Sequence, residues 1–496
     1  MFIKSSSKII INPWLHFFLI TIITLFMICF GLQWLSVSGT DDIYYARKAK
    51  EMFITKNYLQ PDFNKYGPPD NPPFFFWILT LSFSLFGTND LSAHIPVAFC
   101  GIASIILTFF YARYVFKNNY VGILAMFFMS SMVFFIDYSR VVMMETTVTL
   151  LSLLCIFFFW IAKDKPWFYL LWGFMSACSV LTKSIIGGLA FINCIIYTIF
   201  FDRQRLLSVW IYAGISTFIL LVGGYFMLIY SKESSIPHFE YLYSISLNKS
   251  HGKTIWHYFF TDANARSIYY PWFWLVLGGS MITLFDYIKN CDKRKVFIIC
   301  YIFIPLILLS FSNYKSYWYP TFVLPGCAVL CAISIYKVFE ILKIQKYSEY
   351  FIISFIFFGY FYFLLPIRKN SVMNRVTFNL AAGYDFMIDS YRNQVHSVEN
   401  ILIPENQRLI TYAPPSRFYR LRRVLWLMNK HYVTELSEIQ QVVAHFRNLK
   451  KSGINPIAVC FLEDFFDIKK YADLKVLSEN KFTELVFFQY IGDKIS

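Results

Sequence analysis

The 496-residue chain predicts a polytopic α-helical membrane protein of about eleven transmembrane helices, with interfacial helices on the outer side and a C-terminal soluble α/β domain. Three observations carry this reading. Only 15% of the residues are charged and 57% are hydrophobic, whereas a soluble domain carries roughly a quarter charged residues. The mean hydropathy of +0.50 is spread over many apolar runs rather than one. The short basic loops between those runs all agree with a single topology.

Taken in order, the runs long enough to cross a bilayer lie near 13–35, 93–116, 120–137, 143–162, 167–182, 184–201, 207–230, 268–288, 295–311, 318–339 and 349–366. Ser36-Val37-Ser38 resembles a signal-peptide cleavage site. The apolar stretch before it is longer than a signal core, so it is read as a retained span. With Lys4 and Lys8 in the cytoplasm, the connections bearing Arg113/Lys117, Lys163/Lys165, Arg203/Arg205, Lys289/Lys293/Arg294/Lys295 and Lys337/Lys343/Lys346 are all cytoplasmic. The outer side then receives loops 36–92 and 231–267 of a membrane domain 1–366, and a polar domain 367–496. In the latter, Arg408–Tyr412, Pro456–Leu462 and Leu485–Tyr490 read as strands. Ser437 with Gln440 opens a helix that Gly453 can close. The net charge of +15 fits basic cytoplasmic loops and anionic lipid; no nucleic-acid-binding module is visible. Of ten cysteines, only Cys460 lies in the polar C-terminal stretch, so no internal disulfide is available there.

The first outer loop opens with a helix whose apolar face is Ile43, Ala46, Ala49 and Met52/Phe53. Asp41 and Asp42 stand in its first turn. There they serve either as dipole-favoured caps behind Thr40 or as a general base or metal ligand. The proline-dense Tyr66–Pro73 fixes a turn, and Phe74–Phe86 is too short to span, so it reads as a second interfacial helix ending at Gly87. Arg140, Glu145, Lys183 and Lys315 lie where spans meet the outer surface. One such cation alone is usually a snorkelling side chain. Four acids (Asp41, Asp42, Asp70, Glu145) and three bases (Arg140, Lys183, Lys315) on one face suit a lipid-linked phosphate, with cations holding it and a carboxylate taking a proton.

These residues resemble a known family. Asp41-Asp42-x-Tyr44-Tyr45-Ala46 resembles the Asp-Glu-x-x-Tyr-Ala start of the first outer loop in polyprenyl-phosphate-sugar glycosyltransferases, the GT-C enzymes of the protein O-mannosyltransferase and lipid A aminoarabinose transferase superfamily. Asp70-Asn71-Pro72-Pro73 with Trp77 resembles their Glu-Lys-Pro-Pro-Leu-x-x-Trp, and Leu85-Phe86-Gly87 with His94-x-Pro96 their Leu-Phe-Gly…Arg-x-Pro. Arg140 to Glu145 is similar to Arg-x-x-x-x-Asp, Leu181–Ser184 to Leu-Thr-Lys-Gly, and Ser312 through Lys315, Tyr319 and Pro325 to Ser-x-x-Lys-x-x-x-Tyr-x-x-x-x-x-Pro. The chain departs from the pattern at Asp42, Asn71, His94 and Glu145, positions that bear on which sugar is used.

The resemblance implies a GT-C fold in the cytoplasmic (inner) membrane and an inverting transfer of sugar from polyprenyl (undecaprenyl) phosphate to lipid A, another surface glycan or protein. Asp41 is then the base or the carboxylate that orients the acceptor, with Asp42 and Glu145 as further acids. Lys183, Lys315, Arg140, Tyr45, Asn71 and Tyr319 would contact the donor. Asp70 and His251 are the candidate ligands of a divalent metal, and two ligands fall short of the usual four. A lipid-linked substrate transporter or flippase is the alternative, but the spans are nearly free of charge away from their ends. A binding protein without catalysis would not need acids and bases gathered at five span ends.

Overall fold

The computed structural model describes residues 13–35, 37, 40–59, 71–230, 269, 271–312, 315–342, 354, 409–412, 433–436, 439–451, 457–480 and 485–493. They form two compact units: Met1–Leu32, Pro68–Phe75 and His94–Val372 in the first, and Gln33–Gly67, Phe76–Ala93 and Met373–Ser496 in the second. The expected span 349–366 lies outside the described residues apart from residue 354.

The first seven helices are α1 (Pro13–Cys29), α2 (Thr40–Thr55), α3 (Phe74–Phe86), α4 (Asp90–Phe116), α5 (Asn119–Ser130), α6 (Val133–Tyr138) and α7 (Met144–Ile161). They continue with α8 (Phe168–Phe201), α9 (Val209–Tyr230), α10 (Phe273–Asn290), α11 (Lys293–Ser310) and α12 (Leu324–Ile341). Five helical runs among the described residues are long and apolar enough to cross a membrane: Asp90–Phe116, Met144–Ile161, Phe168–Phe201, Val209–Ile229 and Tyr319–Ile341.

Two departures from the expected spans have local causes. The first span stops at Cys29 rather than 35, where Gly31 takes a positive φ of 68°. The expected span 120–137 is broken between α5 and α6. There Ser130 and Ser131 both donate their hydroxyls to the Phe127 carbonyl, at 3.0 and 2.7 Å, and compete with the helix ladder.

The run α8 matches two expected spans at once. Its backbone breaks at Lys183 (φ −144°, ψ 46°) and Ser184 (φ 43°, ψ −128°). Arg205, just past its end, donates to the Tyr169 hydroxyl at its start at 3.1 Å. A straight helix would hold those ends about 50 Å apart, so the two halves fold back on each other. Glycine makes the return possible, because a Cβ on Gly187 would collide with the Ser179 carbonyl. In the same way Gly173 and Gly214 let the first half approach α9.

The end of the bundle away from that turn is closed by charge. Arg205 Nε donates to Asp202 Oδ2 at 3.0 Å, its Nη1 to the Phe159 carbonyl at 2.8 Å, and Lys293 lies 3.4 Å from Asp202. Nearby, Asp286 of α10 pairs with Lys295 of α11 and lies 3.6 Å from Lys337 of α12, while Asp292 caps α11 and pairs with Arg294 at 2.7 Å.

In the second unit, α2 buries Ile43, Ala46, Ala49 and Met52 along one face, as their spacing predicts. Its far C-terminal part forms a five-stranded sheet of order β2-β1-β3-β5-β4, with β1 Leu409–Tyr412, β2 Val433–Leu436, β3 Ile457–Phe461, β4 Ala472–Asn480 and β5 Leu485–Asp493. The three strands β2, β1 and β3 run parallel, whereas β5 pairs antiparallel with β3 and β4. Helices α13 (Ile439–Lys451) and α14 (Leu462–Ile468) cover it, and Val442, Phe446, Cys460, Phe465 and Phe488 make its core. The expected strands correspond to β1, β3 and β5; β2, β4 and α14 are additional.

Candidate active site

The return of α8 places Lys183 at its tip, where the backbone leaves helical geometry and the side chain is buried. Glu145 stands in the first turn of α7, where a carboxylate is favoured by the helix dipole. The two are 38 residues apart in sequence and form a direct ion pair, with side chains 10% and 2% exposed. The ammonium also lies 5.0 Å from the centroid of the Tyr319 ring, a cation–π contact. Glu145 Oε2 is buried and has no hydrogen-bond partner among the described residues. Removing one member of such a pair leaves an isolated buried charge, at a cost of about 3–5 kcal/mol. Two residues before Lys183, Leu181 packs with Tyr225, Ile229, Phe74 and Phe226 in an apolar cluster.

The other expected contact residues distribute differently. Arg140 is 3% exposed, and its guanidinium donates to the Met27 carbonyl at 2.6 Å and to the Phe30 carbonyl at 2.7 Å. It satisfies one of the last carbonyls of α1, which have no partner within the helix, and the carbonyl just past the helix end. The approach is close because Gly101 of α4 lies against Ser139, where a Cβ would collide. Lys315 is buried and donates to the Ser312 carbonyl just past α11. Asn71 is half-buried ahead of α3.

In the second unit, Asp42 is 5% exposed and its Oδ1 accepts from the Ile43 amide at 2.8 Å, while Asp41 is half-buried in the same first turn. Tyr45 is buried, its ring 6.4 Å from that of Phe76. Arg47, Lys48 and Lys50 are buried as well, with Lys48 4.2 Å from the Tyr44 ring centroid. The apolar spacing of α2 does not announce those three cations.

Asp70 and His251, the two candidate metal ligands, lie outside the described residues. Among the described residues no group of three or more His, Cys, Asp or Glu is placed to hold a metal ion. One carboxylate beside this site was missed in the sequence: Asp137 of α6, half-buried next to Tyr138. Its signal was the pair Asp137-Tyr138 just before Arg140.

Comparison with known proteins agrees with this geometry. The family model described as dolichyl-phosphate-mannose-protein mannosyltransferase matches residues 70–226, a stretch holding Glu145 and Lys183. An uncharacterized protein of Aquifex aeolicus is 26% identical over 221 residues, 43% of this chain and 44% of that protein. An undecaprenyl phosphate-alpha-4-amino-4-deoxy-L-arabinose arabinosyl transferase of Pseudomonas fluorescens is 23% identical over 320 residues, 61% of this chain and 56% of that one. The chain thus spans about half the length of these curated relatives. In fold it is similar to the crystal structure of ArnT from Cupriavidus metallidurans bound to undecaprenyl phosphate. The TM-score is 0.66 at 14% identity, covering 97% of this chain and 98% of that one. Apolar helices mark the chain as an integral membrane protein, its fold is similar to that of the ArnT crystal structure, and the matched family model and the arabinosyl transferase it resembles are those of glycosyltransferases.

Proposed function

We propose that this chain transfers a sugar from a polyprenyl phosphate to a hydroxyl of a lipid, glycan or protein acceptor at the outer face of the cytoplasmic membrane. The observation that carries the reading is the buried Lys183–Glu145 pair beside Tyr319 at the tip of a helical hairpin. A desolvated ammonium held by a carboxylate is a ready partner for a phosphate. Relatives named for undecaprenyl-phosphate-linked donors support the same substrate class.

In the reaction the acceptor oxygen attacks the anomeric carbon and the bond from that carbon to the phosphate oxygen breaks. The polyprenyl phosphate leaves with the electron pair, its growing charge balanced by Lys183. The acceptor proton passes to a carboxylate, for which the family pattern nominates Asp41. A single displacement of this kind inverts the anomeric centre. Glu145 acts on Lys183, keeping the ammonium in place before the donor arrives.

The test is transfer in proteoliposomes with undecaprenyl-phosphate-linked mannose and 4-amino-4-deoxyarabinose as donors. Lys183→Ala should reduce kcat/KM about a hundredfold or more, and Lys183→Arg should retain part of the activity. The double variant Lys183→Met with Glu145→Gln removes the buried charges together, so its inactivity reports on chemistry rather than folding. Transfer by Lys183→Ala at the parental rate would overturn the assignment.

A further inference from the structure

We propose that the aromatic row Phe134, Tyr138, Tyr317, Trp318 and Tyr319 is a platform for the sugar ring of the donor, with Asp137 at its edge binding hydroxyl or amino groups of that sugar. The inference rests on the transferase reading above and adds the surface that reads the carbohydrate.

The row is continuous. Phe134 and Tyr138 of α6 stack with centroids 4.2 Å apart at 27°. Tyr317 meets Phe134 edge-on at 5.9 Å, Trp318 meets Tyr317 at 4.7 Å, and Tyr319 follows Trp318 at 6.4 Å. Tyr319 is the ring beneath Lys183 Nζ. The other end is tied to the same place, because Thr146 of α7, next to Glu145, donates to the Tyr138 carbonyl at 3.0 Å.

Packing of a core does not account for this row. Phe134 alone among the five is buried; Tyr138, Tyr317, Trp318 and Tyr319 are each half-buried. Tyr317 and Trp318 stand in a turn and Tyr319 opens the short 3-10 helix Tyr319–Val323, so the three rings do not come from one face of an α-helix. Phe134, Asp137 and Tyr138 are spaced i, i+3 and i+4 and share one face of α6, so the carboxylate lies beside the stacked rings.

The chemistry matches a sugar. One face of a pyranose or pentose ring carries C–H groups, which suit the negative face of an aromatic ring, and its rim carries groups that a carboxylate can bind. The sugar is joined to the phosphate through a single oxygen. A phosphate on Lys183 therefore puts the sugar next to the lysine's own neighbour, Tyr319.

The experiment uses the full chain in nanodiscs and compares binding of bare undecaprenyl phosphate with undecaprenyl phosphate carrying mannose or 4-amino-4-deoxyarabinose. Tyr317→Ala and Tyr138→Leu should each weaken at least one sugar-bearing lipid by roughly fivefold and leave the bare lipid unchanged. Tyr317→Phe and Tyr138→Phe keep the rings and should bind as the parent does, which separates stacking from a folding defect. Asp137→Asn should weaken the sugar-bearing lipid alone. Equal losses for both lipids, or none for either, would overturn the platform. If Lys183→Ala loses both lipids while the tyrosine variants lose neither, the transferase reading stands and the platform falls. If the parent binds no undecaprenyl phosphate at all, both fall.

Discussion

Ser184 occupies a backbone conformation that suits glycine, and replacing it tests how the α8 hairpin is built. Its φ of 43° with ψ of −128° is a region a side-chain-bearing residue holds at a cost of about 1–3 kcal/mol. Its hydroxyl is buried with no hydrogen-bond partner among the described residues, which adds about 1–3 kcal/mol. Ser184→Gly removes both penalties and adds about 0.5–1 kcal/mol of entropy loss on folding, for a net gain of about 3 kcal/mol. Ser184→Ala removes the hydroxyl alone and should gain about half as much. The family pattern Leu-Thr-Lys-Gly places glycine at this same position. Thermal unfolding of purified protein in nanodiscs, followed by tryptophan fluorescence, should rank glycine above alanine above the parent. A glycine variant no more stable than the parent would refute the strained-turn argument, and with it the account of how Lys183 reaches its position.

Three further outcomes are expected. Gly187→Val should force the α8 halves apart at the Ser179 carbonyl and destabilise the protein by about 1–3 kcal/mol in the same unfolding assay; parental stability would show that the halves do not pack there. Arg140→Gln should lose about 3 kcal/mol, because the Met27 and Phe30 carbonyls at the end of α1 lose their charged donor, while donor affinity stays unchanged. Normal stability with lost affinity would return Arg140 to the phosphate. Asp41→Asn keeps a capping side chain but cannot take a proton, so turnover should fall about a hundredfold in the transfer assay while the fold is retained; an active Asp41→Asn with a dead Asp42→Asn would move the role one residue along.

Much of this was legible in the order of residues. The three-to-four spacing of Ile43, Ala46, Ala49 and Met52 marked the buried face of α2, because burial and helical period are local properties. The abrupt shortness of the apolar runs 167–182 and 184–201 announced a turn at Lys183, since neither run reaches bilayer thickness comfortably. What stayed hidden depends on distant partners. Nothing near Arg140 says that its guanidinium will close a helix some 110 residues earlier. The Lys183–Glu145 pair spans 38 residues, so type and position suggested a shared surface but not direct contact. The break after Ser131 was missed because two serines in an apolar run look like tolerated small residues until their hydroxyls turn back on the helix. In the sheet, β2 and β4 carry mixed polar sequences at the edges, where one-sided pairing leaves little hydrophobic pattern to read.

The charged closure at the far end of the bundle also bears on how the protein is made. Arg205, Lys293, Arg294, Lys295 and Lys337 are among the basic residues that orient the chain in the sequence reading, and a nascent chain presents them as separate positive signals. In the folded protein Asp202, Asp286 and Asp292 are ion-paired with them, Asp202 and Asp286 with two cations each. The same side chains therefore serve two successive purposes, first as topology signals during insertion and afterwards as the latch that holds the result. Inverting the assembled bundle would mean breaking that latch before carrying its charges through lipid, so orientation, once chosen, is retained for the lifetime of the molecule.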